Sequence, residues 1–249
     1  MVKEKNKIAK YIILIITIII ILEIVLFISN KNVKLENKEE ESSFVSIDNA
    51  TLVRMKLPAV DADGKGVSTY LTVEAIKGTG RTLVDIENLL FWADTQQSIR
   101  MARLVAGNYS KNNVNNYDLI YSVEANASLI GGPSAGAALT LATISALNNE
   151  KFRDDVMITG TINHDGSIGP VSAILEKAKA SKEVNASIFL VPLLQSRDVI
   201  YETNEHCEKF GLTEICQTET IPKKINVSEE AGIEVIEVSG IEEALKYFS

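Results

Sequence analysis

Ser134 stands in the hexapeptide GGPSAG, residues 131–136, at the mouth of a run of small and apolar residues, GAALTLATISALNN. A helix start is often marked by a serine, but it does not call for two glycines and a proline before the serine and a further glycine after it. Glycines 131, 132 and 136 let another backbone approach, and Pro133 stiffens the turn. A serine hydroxyl becomes a nucleophile only when a neighbouring base takes its proton. GPSAG fits the G-x-S-x-G nucleophile elbow, whose partners are an Asp and a His later in the chain. The chain has only two histidines, His164 and His206. Asp198 and His206 follow the serine in the required order, which defines an α/β-hydrolase-like esterase as one reading. His206, however, lies in the polar segment ETNEHCEK, and His164 lies in the turn sequence NHDG. No HGGG-type oxyanion segment precedes Ser134.

A lysine can replace histidine as the base if an apolar seat keeps it neutral. Lys177 is the candidate. At helical spacing it projects between Ala173 and Ile174 on one turn and Ala180 and Ser181 on the next, while Glu176, Lys179, Lys182 and Glu183 point elsewhere. A lysine at the edge of such a stripe can also snorkel to solvent. Helical geometry alone leaves both readings open, just as a helix N-cap remains open for Ser134.

The elements that must hold these residues follow from periodicity. Residues 50 to 86 read as strands broken at AVDADGKGV and IKGTGR, with VSTYLTVEAI the clearest strand. Asp61 and Asp63 lack the remaining ligands of a calcium loop, so DADGKG is a hairpin turn. An amphipathic helix is expected from Thr95, a strand from Asp118, and a helix from Ser134 to about Leu147. VMITGTINHDGSIGPV reads as a strand, an Asp-Gly turn and a return strand. A helix from Val171 to about Glu183 follows, then the strand SIFLVP, an irregular polar stretch, the strand IEVIEV and a last helix from Ile241. Strands and helices mix without strict alternation, which predicts an α+β (mixed α/β) domain.

IGGPSAGAALTLA, MITGTI and GPVSAILEKAKAS together resemble the proteolytic domain of Lon-type Ser–Lys endopeptidases. The resemblance extends more weakly through LTVEAIKGTGR, SIFLVP and the final strand and helix, and so covers most of residues 51–249. It implies the Lon proteolytic-domain fold and a Ser134–Lys177 dyad. Ser134 would attack a scissile carbonyl, and neutral Lys177 would act as base and then protonate the leaving amine. Thr159 would orient the lysine, and Gly132, Pro133 and Ala135 would form the oxyanion and substrate loop. Glu74 resembles a glutamate that the family carries near its site. The resemblance further implies peptides or unfolded proteins as substrates, a homo-oligomeric ring, and no cofactor or metal. A catalytically inactive binding or assembly module of the same fold is the alternative. The chain departs from the family at Gly131, where Asp is usual, and in an insertion at about 193–232. It contains no G-x-x-x-x-G-K-[ST] phosphate loop, so it looks most like family members that lack the ATPase module.

Around this domain, residues 1–30 place Lys3, Lys5, Lys7 and Lys10 ahead of YIILIITIIIIL and IVLFI, which flank Glu23. That pattern predicts a transmembrane anchor with a cytoplasmic N-terminus, an uncleaved alternative to a signal sequence, and an extracytoplasmic domain. Residues 31–50 read as a polar tether. The chain carries a formal charge of −8, and the lysine-rich first 30 residues leave about −10 for the rest. An acidic domain does not bind nucleic acid by phosphate neutralisation. Cys207 and Cys216 are spaced for either a small-loop disulfide or two free thiols.

Overall fold

β-Branched and apolar residues alternate with polar ones along Ala50–Val60 (β2) and Gly66–Lys77 (β3), and the two segments pair antiparallel around the Asp61–Lys65 turn. Asp61 closes that turn: its carboxylate accepts from the Asp63 and Lys65 amides, as expected of a hairpin and not of a metal loop. The structure is a computed structural model and describes residues 44–47, 50–85, 90–91, 93–124, 129–130, 132–210 and 213–249. The expected anchor at 1–30, most of the tether and Gly131 lie outside the described residues. Among the described residues no helix is long and apolar enough to cross a membrane.

Phe44–Ile47 (β1) pairs with β2, so the end of the expected tether is an edge strand of the domain. Tyr117–Glu124 (β6) adds antiparallel to β3, and Thr82–Val84 (β4) adds parallel to β6. The five strands run β1-β2-β3-β6-β4. α2 (Gly136–Asn148) packs on β2 and β3 of this sheet, and α1 (Ala93–Tyr109) packs on α2. Leu90–Phe91 (β5), ahead of α1 in sequence, pairs parallel with Leu129–Ile130 (β7), ahead of α2. Leu71 and Val73 of β3, Ile99 and Val105 of α1, and Leu139 and Leu141 of α2 share one buried apolar cluster.

α2 is buried from Gly136 to Leu147, which explains its almost continuous small and apolar sequence. Its hydroxyls are satisfied internally. Thr140 and Thr143 donate to the carbonyls four residues back, and Thr143 also meets the Tyr121 hydroxyl at 2.9 Å. Asn149 ends the helix in the left-handed conformation, φ 58°.

A second, parallel sheet orders β14 (Glu234–Val238), β11 (Ile188–Pro192) and β8 (Val156–Ile158). Thr161–Ile162 (β9) and Ile168–Gly169 (β10) form the expected return around the NHDG turn. α3 (Ile174–Glu183) joins β11 in a second apolar cluster, and α5 (Ile241–Phe248) closes the chain against the first. α3 starts three residues later than the sequence suggests because Ala173 is left-handed, φ 57°, and cannot be a helical residue.

The stretch expected to be irregular is a two-stranded ribbon instead. Arg197–Phe210 (β12) and Thr213–Asn226 (β13) pair in register along their full length. Cys207 and Cys216 face each other across it and form a disulfide. A short helix, α4 (Val227–Ala231), leads back to β14.

Candidate active site

Ser134 does not cap α2. Pro133–Ala135 form a single 3-10 turn ahead of the helix, and no side chain caps either element. Among the described residues, nothing hydrogen-bonds the Ser134 hydroxyl, and the residue is half-buried. An unpartnered hydroxyl at the mouth of a buried helix is free for chemistry. The positive end of the α2 dipole adjoins it.

Two glycines make this turn possible. Gly132 has φ 103° and ψ 142°, a region open in practice only to glycine, and a Cβ there would have nothing within 4 Å. Its role is conformational, and it leaves open space beside the serine. Gly136 acts by close approach: a Cβ there would lie 2.8 Å from both the Ile162 backbone nitrogen and its Cγ2.

The turn is fastened to the segment carrying Thr159. The Ser134 carbonyl accepts from the Gly160 amide at 3.0 Å and from the Thr159 hydroxyl at 3.3 Å. The Ala137 amide donates to the Gly160 carbonyl at 3.0 Å, and the Thr159 amide donates to Leu190 in β11. Thr159 is 1% exposed. Ser134 and Thr159, 25 residues apart in sequence, are therefore in direct contact. The Thr159 proton goes to the serine's carbonyl, and among the described residues no hydrogen bond joins Thr159 to Lys177.

Lys177 lies in the first turn of α3 and is 3% exposed. It does not snorkel. Its ammonium has no hydrogen-bond or ion-pair partner among the described residues. Burial alone lowers its pKa from 10.5 to about 8, because desolvation penalises the charged form. The loop before it is tied down by Gln195, whose amide accepts from the Val171 N–H and donates to the Val171 carbonyl.

The histidine alternative fails on geometry. Asp198 and His206 occupy one strand, β12, eight positions apart, so they lie roughly 27 Å from each other at ~3.4 Å per residue. His206 is 82% exposed, and its neighbour is Glu208. His164 is exposed in its turn. Glu74 is half-buried in the middle of the first sheet.

One residue escaped the sequence reading. Asp94, near the start of α1, accepts the Gly132 amide at 3.0 Å with Oδ2 and the Thr95 amide at 2.7 Å with Oδ1. The only signal was an aspartate at a helix start, which is ordinarily a cap.

Comparison with known proteins places the chain in one family. The profile of the Lon protease (S16) C-terminal proteolytic domain matches residues 70–243. The Lon protease of Lawsonia intracellularis is 31% identical over 137 residues, 54% of this chain and 16% of that protein. That of Desulfovibrio desulfuricans is 38% identical over 86 residues, 34% of this chain and 10% of that protein. The archaeal Lon protease of Thermococcus kodakarensis is 24% identical over 221 residues, 86% of this chain and 33% of that protein. The chain thus spans a third or less of the length of these relatives.

Proposed function

The chain belongs to the Lon protease C-terminal proteolytic domain family, and from that premise we propose that it is a serine endopeptidase with a Ser134–Lys177 dyad. The burial of Lys177, with no partner among the described residues, is the observation that carries the reading. A lysine with a pKa of about 8 is substantially neutral in mildly alkaline solution, and a neutral amine accepts a proton from a serine hydroxyl. In the forward step the Ser134 Oγ attacks the scissile carbonyl while its proton passes to the Lys177 Nζ. The resulting ammonium then protonates the leaving amine, and an acyl-serine remains for water to hydrolyse. The turn formed by Gly132, Pro133 and Ala135, with the α2 terminus behind it, supplies the positive potential that favours an oxyanion. Thr159 serves as the strut that holds the serine's backbone.

The reading extends to the setting of the reaction. The 249 residues contain no phosphate loop, so cleavage proceeds without nucleotide, on peptides, unfolded chains or exposed loops. Residues 1–30 anchor the protein in a membrane, and the domain sits on the extracytoplasmic side, where the Cys207–Cys216 disulfide persists. Subunits associate into a homo-oligomer.

The test uses the full chain in detergent with casein and no ATP. Wild type is expected to cleave, and Ser134→Ala and Lys177→Ala are each expected to abolish cleavage while keeping the wild-type circular dichroism spectrum. Cleavage that survives Lys177→Ala overturns the dyad. A folded wild type that cuts nothing between pH 6 and 10 favours an inactive module.

A further inference from the structure

Gly132, two residues before the nucleophile, is held through both its N–H and its carbonyl by the start of α1. Its N–H donates to Asp94 Oδ2 at 3.0 Å. Its carbonyl lies 3.4 Å from the Thr95 hydroxyl, which is also 3.4 Å from Asp94 Oδ1 and shares its one proton between them. Asp94 Oδ1 accepts the Thr95 amide at 2.7 Å. Thr95 is 2% exposed and Asp94 is half-buried.

The local needs of α1 account for only part of this. Asp94 is the second residue of the helix, and Oδ1 alone serves its first turn by accepting the adjacent Thr95 amide. Oδ2 is turned off the helix, toward a residue 38 positions away. The peptide it holds is in a conformation of the kind that persists only where the surroundings impose it. Pro133 follows with a fixed φ, so the orientation of the Gly132 peptide is transmitted to Ser134 with little slack.

We propose that Asp94, assisted by Thr95, is a positioning residue for the nucleophile, fixing the Gly132 peptide so that Ser134 presents its hydroxyl to the scissile carbonyl. The proposal rests on the serine endopeptidase reading above. Its chemistry is specific to a carboxylate. Asp94 accepts two N–H donors with two oxygens. An asparagine has one acceptor oxygen and an NH2, so either orientation leaves one N–H facing another donor. Asp94→Asn therefore preserves shape and breaks the function.

The test compares wild type, Asp94→Asn, Asp94→Ala, Asp94→Glu and Thr95→Val in the full chain, using a fluorogenic peptide. Misplacement of about 1 Å at a reacting group can cost about 100-fold in rate. On that scale Asp94→Asn is expected to lower kcat by at least about tenfold and Asp94→Ala by more, with KM within about threefold. Thr95→Val is expected to give a smaller fall. Asp94→Glu, which keeps both acceptors, is expected to recover part of kcat. The alkaline rise of the pH profile stays where it is in wild type, because the base is untouched. Wild-type kcat in Asp94→Asn overturns the proposal. So does a loss of rate that matches the loss of folded protein.

Hydrogen exchange of the Gly132 amide, measured in the same variants, separates this proposal from the reading beneath it. Exchange is expected to accelerate in Asp94→Asn and Asp94→Ala. If wild type cleaves nothing yet the amide still loses protection in these variants, the clamp stands and the endopeptidase reading falls. An amide that exchanges equally in all of them overturns the clamp whatever the activity.

Discussion

Lys177 is the residue whose burial makes the sharpest demands. Its pKa lies below that of an exposed lysine because it is buried, and no carboxylate among the described residues offsets the effect. Two pH dependences follow, with different windows. Catalysis needs the neutral amine, so kcat/KM should rise with pH to a half-maximum near 8 and then level off. Stability behaves differently. Between about pH 8 and the lysine's unfolded value of 10.5, the unfolded chain holds the proton that the folded chain has lost. Stability therefore climbs across that window, by at most about 3 kcal/mol for this one group. Below pH 8 the protonated lysine stays buried at that cost. Lys177→Met removes the ammonium and keeps most of the volume, so it should be inactive yet more stable than wild type at pH 7. The gap should close as pH approaches 10.5. Urea denaturation of both proteins at pH 7 and pH 10 checks it, and a gap that does not narrow sinks the assignment. Thr159→Val makes a gentler probe. It should lose about 1 kcal/mol of hydrogen bonding to the Ser134 carbonyl and slow turnover more than it raises KM.

At the scale of the element, α2 and the segments fastened to its entrance make up the site. The helix was readable because its burial forces nearly every position to be small or apolar, and GGPSAG marked its start. Its first turn was not readable in detail. Ser134 looks like a cap in sequence, yet the chain makes a 3-10 turn there and the helix begins at Gly136. The start of α3 was misplaced for a similar reason: alanine gives no hint of a left-handed residue, and only packing places Ala173 there. Asp94 was hidden because its partner is distant in sequence while its local role resembles an ordinary cap. The family usually has an aspartate where this chain has Gly131. A carboxylate nonetheless reaches this turn, from α1. Gly136 offers a test of the entrance. Gly136→Ala would press a methyl group against Ile162 at 2.8 Å, and overpacking of this kind costs about 1–3 kcal/mol. The midpoint of thermal unfolding should fall by several degrees, and activity should fall further, because α2 would shift relative to Thr159. An unchanged midpoint would mean that β9 yields freely.

For the molecule as a whole, the ribbon β12–β13 stands apart in its energetics. Its sequence concealed it because a strand shows apolar alternation only when one face is buried. Here residues 201–209 and 216–224 are exposed, so both faces read as polar. Among the residues whose burial is described, the ribbon is anchored at its root: Ile225 is buried, and Ile200 packs on the second apolar cluster. A two-stranded ribbon in water is marginally stable by itself. Cys207–Cys216 supplies what packing does not, since closing a loop of this size restricts the unfolded ribbon by about 2–3 kcal/mol in the chain-entropy account. That stabilisation belongs to the outer ribbon and is not shared with the sheets or with Ser134. Replacing residues 203–220 by Asn-Gly would join Glu202 to Ile221, already paired across the ribbon, through a turn suited to a hairpin. The shortened protein should unfold within about 2 °C of wild type, and reductant should no longer alter its proteolytic sensitivity. In the intact protein, reduction should expose the outer ribbon to added trypsin, which can cut at Lys209, while the midpoint of the domain stays in place. A fall of more than about 5 °C on shortening, roughly 1–2 kcal/mol for a domain of this size, would show that the ribbon helps to hold the core.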